Sequence, residues 1–278
     1  MSATAAAVAR FLEDTRRLEA LLSAPGDDLR SIVLTGVNVD AAAGRNDITW
    51  RRSPIAPAAD TTAGLLLCAG PAPHDDPPEG HVIAVCAAPR LAMVEVLNRF
   101  FCELDIDRDP VFADPELAET VARNYSWVRN AIVGPRVRIA QHVIIGCSGM
   151  GYERDADGRL VRFPQLGGVV LEADVDVAAH ATIQRGALGD TIVRRGAKIG
   201  PHVNVGHNVE VGEDALLTGH SQLGGSCRIG DRVTIWQSAA IANGVTVGEG
   251  AVIGMCSSVR CDVGPGEVWA GNPARRLR

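Results

Sequence analysis

Apolar residues recur at every sixth position through the second half of the chain. The period holds at twelve consecutive positions: Val193, Ile199, Val205, Val211, Leu217, Leu223, Ile229, Ile235, Ile241, Val247, Ile253 and Val259. Helical periodicity cannot produce this spacing. A hexad repeat is typical of a parallel β-helix, in which short strands and tight turns alternate and each coil covers its neighbour.

The same period occurs upstream, with two interruptions. Its positions there are Val133, Ile139, Ile145, Leu171, Val177 and Ile183. Residues 146–170 (GCSGMGYERDADGRLVRFPQLGGVV) are too many for a corner, and Arg185–Leu188 adds four residues before the register resumes. We therefore expect a β-helix over 126–278 with a protruding loop at 146–170. Loops on a rigid scaffold are where sites tend to be built.

Residues 1–106 lack the hexad and predict a small α/β domain. Short apolar runs at Gly64–Ala69 and His81–Ala87 precede a helical pattern at Arg90–Phe101. The first 22 residues have the pattern of an amphipathic helix. Residues 107–125 are expected to form a linker with a short helix near its end.

Composition narrows the function classes. With 33 acidic and 27 basic residues the net charge is -6, which argues against nucleic acid as a partner. No apolar run approaches the roughly 20 residues that cross a bilayer. Seven cysteines without a CxxC pair fit a reducing compartment, so we expect a cytoplasmic protein.

Three motifs occur in one order: PQLG at 164–167, TIQRGALGDT at 182–191 and HNV at 207–209. In this order they resemble the UDP-3-O-acylglucosamine N-acyltransferases. The resemblance implies a mainly β fold, a left-handed parallel β-helix with a small nucleotide-binding α/β domain, assembled as a homotrimer. It also implies an acyltransferase that moves an acyl group from a thioester to the amine of a nucleotide-linked amino sugar.

The resemblance assigns roles to individual residues. His207 takes the place of the catalytic base, because a neutral imidazole suits proton removal from an amine near pH 7. Gly225, one coil of eighteen residues further on, matches the oxyanion glycine. Trp50 supplies an aromatic face for a base within DITWRRSP, and Ser53 stands where an amide is expected.

The sequence departs from the family at four points. Gly200 and Pro201 replace a polar pair that touches the sugar, and Val245 replaces a second active-site histidine. Ser53 replaces the amide near the base. The chain closes with VWAGNPARRLR instead of the helices that receive acyl carrier protein. The resemblance therefore predicts the fold and the type of reaction of this chain better than it predicts the acceptor and the donor.

The donor is an acyl thioester and no bound cofactor or metal is expected. An acyl-coenzyme A donor is favoured, because Arg275 and Arg276, with Arg278, offer cations for its phosphates. Acyl carrier protein remains the alternative. Asn208 either orients His207, touches the acceptor or is a turn residue.

Other readings of the histidines stay open. His142, His180, His202 and His220 fall three positions after core residues and should stack at one corner, as a surface column or a pH-sensitive or metal-loaded seam of a trimer. Two histidines five apart also suggest a γ-class carbonic anhydrase-like zinc enzyme, but the partner of His207 in that register would be Gly212. A non-catalytic β-helix used for assembly is the third class.

Overall fold

The computed structural model describes residues 2–15, 17–23, 27–34, 36–37, 43, 47–51, 63–69, 77, 79–101 and 107–278. The chain divides into two compact units. Unit 1 comprises Met1–Ile106 and Gly151–Pro164, and unit 2 comprises Asp107–Met150 and Gln165–Arg278. The middle of the protruding loop therefore belongs to the N-terminal unit.

The described helices are α1 (Ala5–Asp14), α2 (Pro89–Val96), a π-helical turn (Leu97–Phe101) and α3 (Pro115–Arg123). The described strands before the repeat are β1 (Ala3–Thr4), β2 (Leu18–Ser23), β3 (Val33–Leu34), β4 (Gly36–Val37), β5 (Asp47–Arg51), β6 (Leu65–Cys68), β7 (Val82–Cys86) and β8 (Val111–Phe112). The strands that follow are β9 (Trp127–Val128), β10 (Ala131–Val133), β11 (Arg138–Ile139), β12 (Ile144–Cys147), β13 (Tyr152–Arg154), β14 (Leu160–Arg162), β15 (Val169–Leu171), β16 (Asp176–Val177), β17 (Thr182–Gln184), β18 (Thr191–Val193), β19 (Lys198–Ile199), β20 (Asn204–Val205), β21 (Glu210–Val211), β22 (Leu216–Leu217), β23 (Gln222–Leu223), β24 (Arg228–Ile229), β25 (Thr234–Ile235), β26 (Ala240–Ile241), β27 (Thr246–Val247), β28 (Val252–Ile253), β29 (Ser258–Val259), β30 (Val268–Gly271) and β31 (Ala274–Arg276).

Unit 1 is built on a sheet of strand order β2-β7-β6-β5-β4. Strands β4, β5, β6 and β7 pair in parallel, and β2 pairs antiparallel with β7. Both β6 and β7 are buried along their whole length, which explains their continuous apolar runs. The sheet and α2 confirm the α/β character expected of this part of the chain.

The N-terminal helix is shorter than the sequence pattern predicts. It starts at an N-cap, where the Thr4 side chain accepts from Ala7 N–H, and it ends at Asp14. The end of the expected helix, residues 18–22, instead belongs to β2 (Leu18–Ser23) at the edge of the sheet. Pairing with the buried strand β7 decides the conformation here, because such tertiary contacts outweigh weak helix propensity.

Unit 2 is a parallel β-helix with three faces, which confirms the predicted fold. Sheet 1 contains β8, β10, β15, β18, β21, β24 and β27; sheet 2 contains β11, β16, β19, β22, β25, β28, β30 and β31; sheet 3 contains β9, β12, β17, β20, β23, β26 and β29. From β10 onward the chain visits sheets 1, 2 and 3 in turn. From β9 onward the second residue of each two-residue strand is buried, as in β20 and β21, and these residues form one continuous core.

Residues 107–125 differ from the expected linker. Strand β8 pairs in parallel with β10 and joins sheet 1. Helix α3 forms as predicted, capped by Asp114, and it buries Leu117 and Val121 in the core of the β-helix. These residues therefore close the base of the β-helix.

Both interruptions of the repeat lie at the same corner of the β-helix. We call this corner, between sheet 3 and sheet 1, corner 3-1; it comprises residues 148–168, 185–190, 206–209, 224–227 and 242–245 in successive coils. Corner 2-3, between sheet 2 and sheet 3, comprises 140–143, 178–181, 200–203, 218–221 and 236–239. The two ends of the long loop, at 148–150 and 165–168, consequently stack along one edge with the short insertion, His207 and Gly225.

No helix in the described part of the chain is long and apolar enough to cross a membrane.

Candidate active site

His207 lies at corner 3-1, two positions after the buried core residue Val205. Its side chain is half-buried, and the backbone beneath it is held by coil-to-coil hydrogen bonds such as Gly206 N–H to Leu223 carbonyl at 3.0 Å. A rigid coil thus presents the imidazole at an edge that solvent can reach.

Gly225 lies directly above His207, as the eighteen-residue spacing predicts. A Cβ at this position would come within 2.5 Å of His207 Nε2 and 2.6 Å of Cε1, so the imidazole edge occupies the space that a side chain would need. Glycine therefore allows the imidazole to occupy this position, and a side chain here would displace it.

The Gly225 N–H is an available donor. Gly225 is buried, yet its N–H donates to none of the described residues. The N–H at the same position of two other corners is donated to a carboxylate: Arg195 N–H to Glu172 at 3.0 Å and Glu213 N–H to Asp231 at 2.8 Å. This corner N–H is therefore oriented to bind an anion, and a buried donor without an acceptor calls for a ligand.

Asn208 connects His207 to residues 185–190, the corner that contains the four added residues and is called the insertion from here on. Its Oδ1 lies 3.1 Å from His207 Nδ1 and accepts from Ala187 N–H at 2.9 Å, while its Nδ2 donates to the Gly189 carbonyl at 2.9 Å. Its backbone N–H donates to Thr191 Oγ1 at 2.8 Å. Of the three roles considered for Asn208, these contacts favour orientation of the ring.

Two residues that the sequence did not single out line the other side of the imidazole. A Cβ on Gly149, near the start of the long loop, would lie 3.0 Å from His207 Cδ2 and 3.1 Å from Gln184 Oε1. Gln184 is the last residue of β17, one coil below, so its position follows from the repeat. The position of Gly149 does not, because it depends on the path of an aperiodic loop.

The insertion is also anchored from below. Arg185 is buried and its Nε donates to the Gly167 carbonyl at 2.7 Å, and Asp190 accepts from Gly168 N–H at 2.6 Å. In the sequence, this anchoring is marked only by the RGALGD stretch, which interrupts the hexad repeat. The repeat itself does not predict these contacts.

The thiols near this corner are unsuited to nucleophilic chemistry. Burial raises the pKa of the Cys147 thiol, and burial also raises the pKa of Cys227, whose Sγ contacts the Ala242 carbonyl at 3.1 Å. Both therefore stay protonated near neutral pH. Neither thiol is therefore a candidate nucleophile of this edge.

Trp50 lies in a separate cleft of about 260 Å³ within unit 1. The cleft is at the carboxyl ends of β5, β6 and β7, where ligands bind in open α/β sheets. It also meets the start of α2, whose N-cap Ala88 supplies no side-chain hydrogen bond, and it includes Arg154. Ser53, the other residue assigned to base recognition, lies outside the described residues.

Arg275 and Arg276 are far from the imidazole. They belong to β31, which lies five strands beyond β19 in sheet 2, and at ~4.8 Å per strand this is ~24 Å along the axis. Arg276 pairs with Glu267 at 2.9 Å. The structure does not bring these arginines together with His207, so their binding of donor phosphates stays a prediction.

The predicted histidine column forms at corner 2-3. The rings of His142, His180, His202 and His220 stack with centroid separations of 5.1, 4.8 and 4.7 Å, and Tyr125 continues the stack at 6.1 Å. All four histidines have positive φ, between 56° and 62°. They are surface residues with nearly parallel rings.

The described residues do not support the zinc-enzyme alternative. His202 and His207 lie at different corners, separated by β20, and cannot share an ion. Across the part of the chain that the structure describes, no group of three or more His, Cys, Asp or Glu side chains could hold a metal.

Comparison with known proteins identifies what the chain is similar to. The family model described as bacterial transferase hexapeptide (six repeats) matches residues 226–261. The UDP-3-O-acylglucosamine N-acyltransferase of Azorhizobium caulinodans is 51% identical over 149 residues, which cover 54% of this chain and 42% of the relative. The enzyme of the same name from Francisella tularensis subsp. holarctica is 46% identical over 68 residues, 24% of this chain and 20% of the relative. The chain thus spans between a fifth and about two fifths of the length of these relatives.

Solved structures show weaker similarity. The UDP-N-acetylglucosamine acyltransferase of Francisella novicida gives a TM-score of 0.49 at 20% identity and covers 55% of each chain. AntD, an N-acyltransferase from Bacillus cereus in complex with dTDP and coenzyme A, gives 0.43 at 15% identity, covering 61% of this chain and 90% of that one. The fold assignment rests on the coils described above and not on these two matches.

Proposed function

We propose that this chain is an N-acyltransferase that moves an acyl group from a thioester to the amine of a nucleotide-linked amino sugar. The observation that carries the proposal is the position of His207 beneath Gly225, one coil above. The buried N–H of Gly225 donates to none of the described residues. A base and an oxyanion donor on one edge are the two groups that acyl transfer from a thioester needs. The names of the curated relatives support the same reaction.

The chemistry can be written through these two groups. The amine nitrogen attacks the thioester carbonyl carbon and its proton moves to His207 Nε2, while the carbonyl oxygen takes the negative charge beside Gly225 N–H. When the tetrahedral intermediate collapses, the C–S bond breaks and the proton on His207 passes to the leaving sulfur. An amide and a thiol are formed, and the imidazole returns to its neutral state.

The Trp50 cleft is the proposed site of the acceptor nucleotide. The indole offers a stacking surface for the base, worth on the order of 1 kcal/mol beyond area burial. The start of α2 and Arg154 suit phosphate oxygens, because helix N-termini and guanidinium groups both bind anions. Gly200 and Pro201 in place of a polar pair point to an altered sugar rather than to the lipid A intermediate itself.

For the donor, acyl-coenzyme A stays our prediction and acyl carrier protein the alternative. The discriminating experiment offers the same acyl group on both carriers, with UDP-3-O-acylglucosamine and other UDP-linked or dTDP-linked amino sugars as acceptors. Transfer from the carrier protein alone would reverse the assignment of the donor.

A homotrimer is the proposed assembly, and charge distribution supports a protein contact at sheet 3. Residues 178–184, 200–208, 218–226 and 236–244, which form most of this face and its two corners, contain no Asp, Glu, Lys or Arg, and the charged residues of corner 3-1 in these coils are Arg185 and Asp190. Depletion of charge is typical of interface cores. Sedimentation that shows a monomer at micromolar concentration would refute the trimer.

We place the protein in the cytoplasm. Cys68, Cys147, Cys227, Cys256 and Cys261 are free, which fits a reducing compartment.

The test of the proposed reaction is His207→Ala against His202→Asn. Loss of a general base typically costs about 10²–10⁴ in rate. His202 lies in the same coil at the opposite corner with φ 57°, and asparagine tolerates that conformation, so its variant controls for loss of a surface histidine. Near-normal turnover of a folded His207→Ala would contradict the mechanism.

A further inference from the structure

The amide of Asn208 has its orientation fixed by backbone groups. Ala187 N–H can only donate and the Gly189 carbonyl can only accept, so Oδ1 must face Ala187 at 2.9 Å and Nδ2 must face Gly189 at 2.9 Å. A flipped amide would place donor against donor and acceptor against acceptor. Asn208 is thereby held in one orientation by the insertion.

The orientation of Asn208 in turn fixes the proton on His207. Asn208 Oδ1 lies 3.1 Å from His207 Nδ1, and an amide oxygen can only accept. The neutral imidazole must then carry its proton on Nδ1, which leaves the lone pair on Nε2. Nε2 is the ring atom that lies against Gly225.

Asparagine suits this position for two reasons. Its φ is 57°, a left-handed conformation that asparagine adopts more readily than most residues. Its side chain also presents a donor and an acceptor at once, whereas aspartate would place a carboxylate oxygen against the Gly189 carbonyl. Thr191 Oγ1, fully buried, completes the support by accepting the Asn208 N–H at 2.8 Å.

The insertion is itself locked between Asn208 and the end of the long loop. Gly167 N–H donates to the Gly186 carbonyl at 3.1 Å, and Leu166 N–H donates to the Ala187 carbonyl at 2.6 Å. A Cβ on Gly186 would lie 1.6 Å from the Gly189 oxygen and 2.8 Å from Asn208 Nδ2. The turn therefore has no room to shift away from the amide.

We infer that the insertion 185–190 is a positioning device: through Asn208 it holds His207 in the tautomer that carries its proton on Nδ1, so that Nε2 is the base. This inference rests on the proposed function for its kinetic consequence, but the tautomer can be measured without turnover. Asn208 is a positioning residue and touches no reacting atom.

The experiment combines imidazole NMR with kinetics. In protein labelled with ¹⁵N-histidine, two-bond ¹H–¹⁵N spectra report which ring nitrogen carries the proton, and the His207 signals are identified by their loss in His207→Gln. We expect the Nδ1–H tautomer in the unmodified protein and a mixture in Asn208→Ala. In the acyl-transfer assay, Asn208→Ala should lower kcat by about 10–100-fold with KM little changed, the range expected when a reacting group is misplaced.

Two further variants separate positioning from general damage. Asn208→Asp keeps an acceptor for Nδ1–H and adds a negative charge that favours the imidazolium, so the acid limb of the pH–rate profile should move to higher pH. Gly186→Ala displaces the turn without altering Asn208 or His207, and it should produce the same tautomer mixture as Asn208→Ala. Asn124→Ala, at the C-cap of α3 and outside both this network and the proposed contact face, is the control and should change neither readout.

The outcomes decide between the two claims. The inference is overturned if Asn208→Ala keeps both the Nδ1–H signal of His207 and the parent kcat. It is also overturned if His207 carries its proton on Nε2 in the unmodified protein. Absence of acyl transfer from every donor, with the NMR results as expected, refutes the proposed function and leaves the positioning of His207 standing.

Discussion

The contact between Gly225 and His207 gives the sharpest test of the site. In Gly225→Ala the new Cβ would start 2.5 Å from His207 Nε2 and 3.0 Å from Cδ2. Carbon and nitrogen atoms pack at about 3.5–4.0 Å, so the imidazole must move by about 1 Å. The backbone N–H at 225 is retained, so the variant displaces the proposed base without removing the proposed oxyanion donor.

The expected magnitude follows from that displacement. A misplacement of about 1 Å in a reacting group can lower the rate about 10²-fold. We therefore expect kcat of Gly225→Ala to fall by about two orders of magnitude. Stability should not fall in parallel, because alanine in place of glycine restricts the unfolded chain and this offsets part of the local strain.

Gly219→Ala is the matched control. Gly219 occupies the second position of its corner, as Gly225 does, but at corner 2-3, where a Cβ would meet nothing closer than the Pro201 carbonyl oxygen at 3.3 Å. Its turnover should stay within a factor of two or three of the parent protein. The assay is mass spectrometry of the acylated nucleotide sugar, with thermal unfolding of each variant alongside. Full activity in Gly225→Ala would show that the imidazole need not occupy the observed position, and the reasoning would fail.

Three other predictions concern stability and reactivity. The hydrogen bond from Arg138 lowers the pKa of Asp176 to about 2, so the ionised carboxylate stabilises the fold above about pH 4 and this contribution is lost between about pH 4 and 2. When the free energy of unfolding is measured against pH, Arg138→Gln should flatten the curve in that range. Ser221→Ala should raise the free energy of unfolding by about 1 kcal/mol in denaturant titration, because the buried Ser221 hydroxyl has no hydrogen-bond partner among the described residues; a loss would contradict this. A thiol reagent should label exposed Cys256 quickly in the native state and Cys227 only on unfolding, since Cys227 is buried and its pKa is raised by burial; equal rates would refute the assignment.

The sequence predicts the β-helix and its edge because the repeat is strictly local. One coil is eighteen residues, and Gly225 follows His207 by eighteen residues, so their stacking can be predicted from the sequence alone. The stacking of the histidine column follows from the same count. The repeat is informative wherever each residue's neighbours are set by its position in the hexad.

The remainder of the site depends on segments that leave the repeat. Gly149 lies beside the imidazole, and the Gly189 carbonyl accepts a hydrogen bond from Asn208. Both contacts depend on the path of segments outside the repeat, which residue spacing does not predict. The start of unit 1 shows a related limit. Leu18–Ser23 has an acceptable helical pattern, and only its pairing with β7 makes it a strand.

Corner 3-1 admits extra residues without a change in the core. The strands on both sides of each interruption stay in register, with Ile145 opposite Ile183 and Leu171 opposite Val193. Lengthening a surface segment adds little entropic cost, about 0.6 kcal/mol per doubling. The middle of the long loop can therefore vary in length and composition, whereas Gly149 and residues 185–190 contact His207 and Asn208 and are constrained. Residues 151–164 can therefore be exchanged between related chains while Gly149, Leu166 and Gly167 keep the contacts that hold His207 and residues 185–190 in place.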